Sequence, residues 1–169
     1  MIPSSSGPKT VRAYFMTQTI VHLGLFSGQF LFAVLAYYLN STGAISFDNQ
    51  ELNQMFLVIV PLVAIGAILG GLFLSKKQLE SIKQKENLHE KLMAYQTVLI
   101  VKYGLLEGAS ILAIVGYLFT ANTIFMAIAA VIILLFIMNR PTVIKTITDL
   151  ELSQTERETV ENPNAVLEE

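Results

Sequence analysis

Ile100-Val-Lys-Tyr-Gly-Leu-Leu-Glu-Gly-Ala-Ser-Ile-Leu-Ala-Ile-Val-Gly-Tyr-Leu-Phe119 is an apolar run of helix length with one carboxylate, Glu107, at its middle. Twenty residues of helix cover about 30 Å, the thickness of a bilayer's hydrocarbon core. A carboxylate at that depth is costly unless it is protonated, paired or turned to a polar cavity. The reading of this stretch therefore decides two things: the solvent of the fold, and where chemistry could reside.

The composition agrees with lipid as that solvent. Of 169 residues, 53% are hydrophobic and 14% charged, against about 25% charged in soluble domains. The net charge of −2 offers no basic field for nucleic acid. With no cysteine, disulfides and thiol chemistry are excluded. With no Trp, an interfacial belt has to come from Tyr and Phe.

Outward from the opening stretch, the chain reads as four spans at about 17–39, 55–75, 93–119 and 124–138. Residues 1–12 read as a mobile polar arm. Lys9 and Arg12 precede an uncharged stretch, Ala13 to Ser46, that is too long for a signal peptide's core, so the first span is expected to be retained. Pro61 is placed in the first turns of the second span, where it removes little. The charged segment 76–91 keeps a helical spacing at Leu79, Ile82 and Leu88, which predicts that both neighbouring helices extend into it. Ala121-Asn122-Thr123 reads as a tight turn. The expected architecture is all-α: an integral-membrane four-helix bundle over residues 1–140, followed by a cytoplasmic amphipathic helix and acidic tail, 141–169.

Lys9, Arg12, Lys76, Lys77, Lys83, Lys85, Lys91, Arg140 and Lys145 all fall on one side of this scheme. Loops 40–54 and 120–123 carry no Lys or Arg. The positive-inside rule then puts both termini in the cytoplasm, most simply for a multi-pass protein of a bacterial inner membrane.

Sliding the chain by 80 residues lays Ile20-Val-His-Leu-Gly-Leu-Phe-Ser-Gly28 on Ile100-Val-Lys-Tyr-Gly-Leu-Leu-Glu-Gly108. Two hairpins of like orientation are expected, as a parallel repeat. The overlay aligns two GxxxG motifs, Gly24/Gly28 and Gly104/Gly108, and a third stands at Gly66/Gly70. Missing side chains let helix backbones approach closely, so these glycines read as packing positions inside the bundle or between protomers.

For Glu107 the helical neighbours are Tyr103 at i−4 and Ser110 at i+3, either able to donate a hydrogen bond. Ser27, Gln29 and His22 of the first span are its candidate partners across the bundle. Together Glu107, Tyr103, Ser110, His22 and Gln29 form a candidate proton or cation site. The competing reading is a neutral Glu107 hydrogen-bonded between helices as structural glue. Lys102, five residues along and about 140° round the helix, is expected to snorkel to the headgroups.

Other chemistry fails on spacing. His89-Glu90 begins like HExxH, but Met93 occupies the second histidine's position. No phosphate loop, nucleophile elbow or dinucleotide turn is present. No enzyme activity, metal or cofactor is expected.

In the tail, Val143, Ile144, Ile147 and Leu150 share one face of a short helix expected to begin at Pro141. Ser153-Gln-Thr-Glu156 reads as a capping box. Residues 162–169 are expected to be disordered, and 141–161 is a candidate docking element for a cytoplasmic partner.

Residues 62–119 resemble the helical hairpin of rotor-ring proteolipids, the c-type subunits of rotary ATPases. The likeness rests on Gly66-Ala-Ile-Leu-Gly-Gly71, the polar loop, and the mid-span Glu within Leu105-Leu106-Glu107-Gly108-Ala109-Ser110. In that family the equivalent carboxylate carries the transported proton or sodium ion, a role the resemblance would map onto Glu107. Two functions are thus expected to compete. One is a structural or accessory subunit of a membrane complex or homo-oligomer. The other is a proton- or cation-coupled component.

Overall fold

In the computed structural model, residues 10–44 and 50–167 are described. Most of the expected N-terminal arm, five residues of the 40–54 connection and the last two residues lie outside that range. The described residues form six helices and no strand: α1 Val11–Ser41, α2 Gln50–Lys83, α3 Leu88–Thr120, α4 Thr123–Met138, α5 Val143–Leu150 and α6 Gln154–Glu161.

Three of these, α1, α2 and α3, are long and apolar enough to cross a membrane. The chain is therefore a membrane protein by length and composition. The count rises to four if α4 and α5, bent by 83° at the break between them, are taken as one span. At 16 residues, α4 covers about 24 Å and falls short of the hydrocarbon thickness on its own.

The burial pattern explains why these helices need lipid. On α2, Phe56, Val60, Ala64, Ala67 and Gly71 fall at spacings of four, four, three and four, a stripe turned inward. The other faces are equally apolar yet open, with Leu62 67% and Phe73 69% exposed. A helix apolar all round has no polar face to offer water. On α1 the inward stripe is Val11, Tyr14, Gln18, His22, Gln29 and Ala36. Half of its members are polar, the reverse of the arrangement in a soluble helix.

Helix ends follow local chemistry. Asn122 caps α4 by accepting from the Ile124 N–H, after Ala121 takes a left-handed φ of 54° at the turn. Thr142 caps α5 and accepts from the Lys145 N–H. The predicted extension of α2 and α3 into the charged segment is present, reaching Lys83 and starting again at Leu88. One expectation fails. Because α2 begins at Gln50, Pro61 is interior and not in the first turns. Its missing N–H leaves the carbonyl four residues earlier, that of Leu57, without its helical donor.

The chain divides into two compact units. The first comprises the described parts of Met1–His22, Leu74–Ile100 and Arg140–Glu169. Its core holds Tyr14, Leu92, Tyr95, Ile147, Leu150 and Val160. The Tyr14 hydroxyl donates to the Leu92 carbonyl at 3.0 Å, across 78 residues of sequence. Here the expectation of a disordered 162–169 is overturned for its described part. The Val11 and Arg12 N–H groups donate to the carbonyls of Ala165 and Pro163 at 3.1 and 3.0 Å. Thr10 bridges to Val166, and Leu167 is buried. The first N–H groups of a helix have no partner within it. The tail supplies carbonyls for two of them and gains a buried leucine, so Thr10–Arg12 and Pro163–Leu167 order each other.

The second unit comprises Leu23–Phe73 and Val101–Asn139. Its core joins four helices: Ala36 of α1, Phe56 and Val60 of α2, Ala113, Ile114 and Tyr117 of α3, Phe125 and Ala129 of α4. The Asn40 amide donates to the Tyr117 carbonyl at 2.9 Å, which sets the C-terminal ends of α1 and α3 side by side. Asn122 donates to Asn53 at 2.9 Å, and Phe56 meets Phe125 edge-on at 6.1 Å, which does the same for the starts of α2 and α4.

Candidate functional site

On α3, Tyr103, Leu106, Ala109, Ser110, Ala113, Ile114 and Tyr117 are buried, while Ile100, Gly104, Gly108 and Ile111 are exposed. At about 100° per residue, Glu107 stands at the seam between these two arcs. It is half-buried. Among the described residues its carboxylate makes no hydrogen bond and no ion pair.

The expected partners have other engagements. The Ser110 hydroxyl donates to Gln29 Oε1 at 2.7 Å, and it also lies 2.9 Å from the backbone carbonyl of Glu107. Gln29 Nε2 donates to the Leu25 carbonyl at 3.3 Å. Both side chains are fully buried. The predicted polar meeting of α1 and α3 therefore exists, but it joins Gln29 to Ser110 and leaves the carboxylate out. An amide and a hydroxyl satisfy each other in an apolar core without the desolvation cost of a charge. Ser27 is exposed.

Tyr103 is also turned elsewhere. Its hydroxyl donates to the Asn139 carbonyl at 2.9 Å, and its ring lies 5.2 Å from that of Phe136. Lys102 does not snorkel freely: Nζ donates to Asn139 Oδ1 at 2.6 Å. Asn139 caps the C-terminus of α4, and its own Nδ2 donates to the Leu135 carbonyl at 2.8 Å. An ammonium at a helix C-terminus lies at the negative end of the helix dipole. Asn139 thus clamps α3 to the end of α4, and the sequence reading passed over it. The signal present was an Asn just past the fourth span, beside Arg140-Pro141.

His22 is 6% exposed and belongs to the first unit, as does Gln18. Gln18 is 1% exposed, and among the described residues neither its amide oxygen nor its nitrogen has a partner. Among the described residues no group of three or more His, Asp or Glu could hold a metal ion.

The glycines answer the question left open by the sequence. A Cβ built at Gly24, Gly28, Gly66, Gly70, Gly104 or Gly108 would meet nothing within 4 Å. Among the described residues these motifs therefore bring no other helix against the chain's own glycines. Among the described glycines, Gly71 makes ordinary contacts and Gly116 a tight one. Gly71 lies against Lys102 and Leu105, and a Cβ at Gly116 would come 3.2 Å from the Phe125 ring.

In the tail, the capping box is complete: Ser153 accepts from the Glu156 N–H, and the Ser153 N–H donates to Glu156 Oε2 at 2.8 Å. The other carboxylate oxygen accepts from Lys91 Nζ at 2.7 Å, with the two side chains 11% and 16% exposed. Burial pushes the Glu156 carboxyl up. Donation from Lys91 and from the Ser153 backbone and hydroxyl, with the Lys91 charge, outweighs it and holds the group below the usual carboxylate range. The Tyr95 hydroxyl donates to Asp149 at 2.6 Å, and Lys83 pairs with Glu151. These ties hold α5 and α6 on α2 and α3.

Comparison with protein families, with characterised proteins and with solved structures finds no match for this chain. The resemblance of residues 62–119 to rotor-ring proteolipids rests on the residues quoted for it.

Proposed function

We propose that this chain is a multi-pass membrane subunit that assembles, with copies of itself or with another membrane protein, through the glycine faces of its helices. In this reading α1 to α4 are a four-helix bundle of two like hairpins, with both termini cytoplasmic and the bacterial inner membrane as its site. The carrying observation is that, among the described residues, nothing from another element lies within 4 Å of a Cβ built at any of six glycines in three GxxxG motifs. Lipid tails are as apolar as leucine, so they give helices no hydrophobic reason to associate. Backbone approach at small residues supplies the packing contacts instead. The test is mass determination in mild detergent. The paired variants Gly24→Ile with Gly28→Ile, and Gly104→Ile with Gly108→Ile, should lose the larger species while melting as the wild type does. A wild type that is monomeric and co-purifies with no membrane protein overturns the reading.

A second reading makes Glu107 a proton or cation site. It is favoured by a carboxylate that has no partner among the described residues, at the seam of α3, close to the Gln29–Ser110 pair. In proteoliposomes Glu107→Gln, which keeps shape and hydrogen bonding, should abolish proton or sodium movement. Equal flux in the variant removes this reading.

A further inference from the structure

The first unit contains a cavity of about 570 Å³ beside the backbone ties between the start of α1 and the tail. That volume lies within the range of small-molecule sites. Phe15, Met16 and Ile20 of α1 and Val160 of α6 line it, and so do two opposite charges, Arg12 and Glu161. Arg12 and Glu161 are both exposed. Among the described residues neither side chain makes a hydrogen bond or an ion pair, with each other or with any other group. Backbone ties fix where they stand, since the Arg12 N–H donates to the Pro163 carbonyl at 3.0 Å.

Position along the chain narrows the occupant. Arg12 is the last charged residue before Asp48, and the helix it opens is apolar enough to cross a membrane. The guanidinium therefore marks the headgroup level, and Phe15, Met16 and Ile20 line the first turns below it. Met16 and Ile20 are 60% and 58% exposed. A guanidinium matches phosphate bidentately. A carboxylate beside the same opening repels a purely anionic headgroup and accepts from a primary ammonium.

We propose that this groove holds one phospholipid with a zwitterionic, primary-amine headgroup, of the phosphatidylethanolamine class. Arg12 takes the phosphate, Glu161 takes the ammonium, and an acyl chain lies along Phe15, Met16 and Ile20. Phosphatidylglycerol lacks the ammonium. The methylated amine of phosphatidylcholine has no N–H to donate.

The test uses the full chain in mild detergent with the three lipids at equal concentration and matched acyl chains, and native mass spectrometry to read retention. Phosphatidylethanolamine should be retained above the other two. Arg12→Ala should lower retention of all three roughly fivefold, the size of one basic headgroup contact. Glu161→Gln should keep total retention but remove the preference for the ethanolamine lipid. Met16→Gln, at an exposed wall position, should weaken retention without changing the order of preference. Equal retention of the three lipids by the wild type, a preference for phosphatidylglycerol, or undiminished retention in Arg12→Ala overturns the proposal. Unchanged melting of the variants shows that the tail is still docked.

Discussion

Gln18 brings an amide donor and an amide acceptor to a position 1% exposed and leaves both unmade. An unsatisfied buried polar group costs about 1–3 kcal/mol. Gln18→Leu should therefore raise stability by about 1–2 kcal/mol, read as a higher melting temperature in detergent. A lower melting temperature would mean that the amide holds a water or solute in the folded protein. Glu156 is the opposite case, with both oxygens satisfied. Its folded carboxyl titrates below the ordinary value, which is near 4.3 for an unfolded glutamate. The contribution to stability is thus complete above about 4.3 and is lost as pH falls through the lower, folded value. Protection of α6 against proteolysis or hydrogen exchange should fall in that acid window. Glu156→Gln should weaken the tail by about 1–3 kcal/mol at neutral pH and flatten the acid dependence. An acid dependence unchanged in the variant would transfer the effect to another carboxylate.

Among the helices, equal glycines have unequal roles. Gly116 sits near the C-terminal end of α3 against the Phe125 ring, which is fully buried and cannot withdraw. Alanine there gains about 1 kcal/mol in helix propensity but forces a packed core to yield, at about 1–3 kcal/mol. Gly116→Ala should therefore lower stability by about 1 kcal/mol. Gly104→Ala on the open face of the same helix should leave the isolated chain as stable or slightly more so. Melting of the two variants in parallel checks this, and equal destabilisation would show that the outer face is packed after all. The short helices α5 and α6 have a different origin. Their caps at Thr142 and Ser153 lie within a few residues of the groups they satisfy. The Ser153 start is accordingly the one expected from sequence, while α5 starts at Val143 and not at Pro141 because Thr142 takes the cap; the attachment of both through Asp149, Glu151 and Glu156 could not be read.

For the whole molecule, the cation distribution predicts that loops 40–54 and 84–87 lie on opposite sides of the membrane. The absence of native cysteine makes the check clean. Thr42→Cys and Glu86→Cys, both at exposed positions, should label from opposite faces of sealed vesicles, with Glu86→Cys cytoplasmic. Labelling of both from one face would undo the two-hairpin reading.

Apolar surface on every side of Met55–Ser75, and on Ile100–Phe119 around Glu107, made a membrane protein legible from the chain itself. The turn at Ala121-Asn122-Thr123 and the capping box at Ser153 were legible in the same way. These properties depend on neighbours within about one helical turn or on composition, and both are written along the sequence. Which polar groups meet is a different kind of property. Ser110 takes Gln29 across 81 residues, Lys102 takes Asn139 across 37, and Lys91 takes Glu156 across 65. Pro163–Leu167 closes onto the start of α1. Several donors could satisfy each acceptor equally well in chemical terms. The choice falls to whichever side chain the packed helices deliver within hydrogen-bond distance, so it was the tertiary structure that left Glu107 aside and turned the glycines outward.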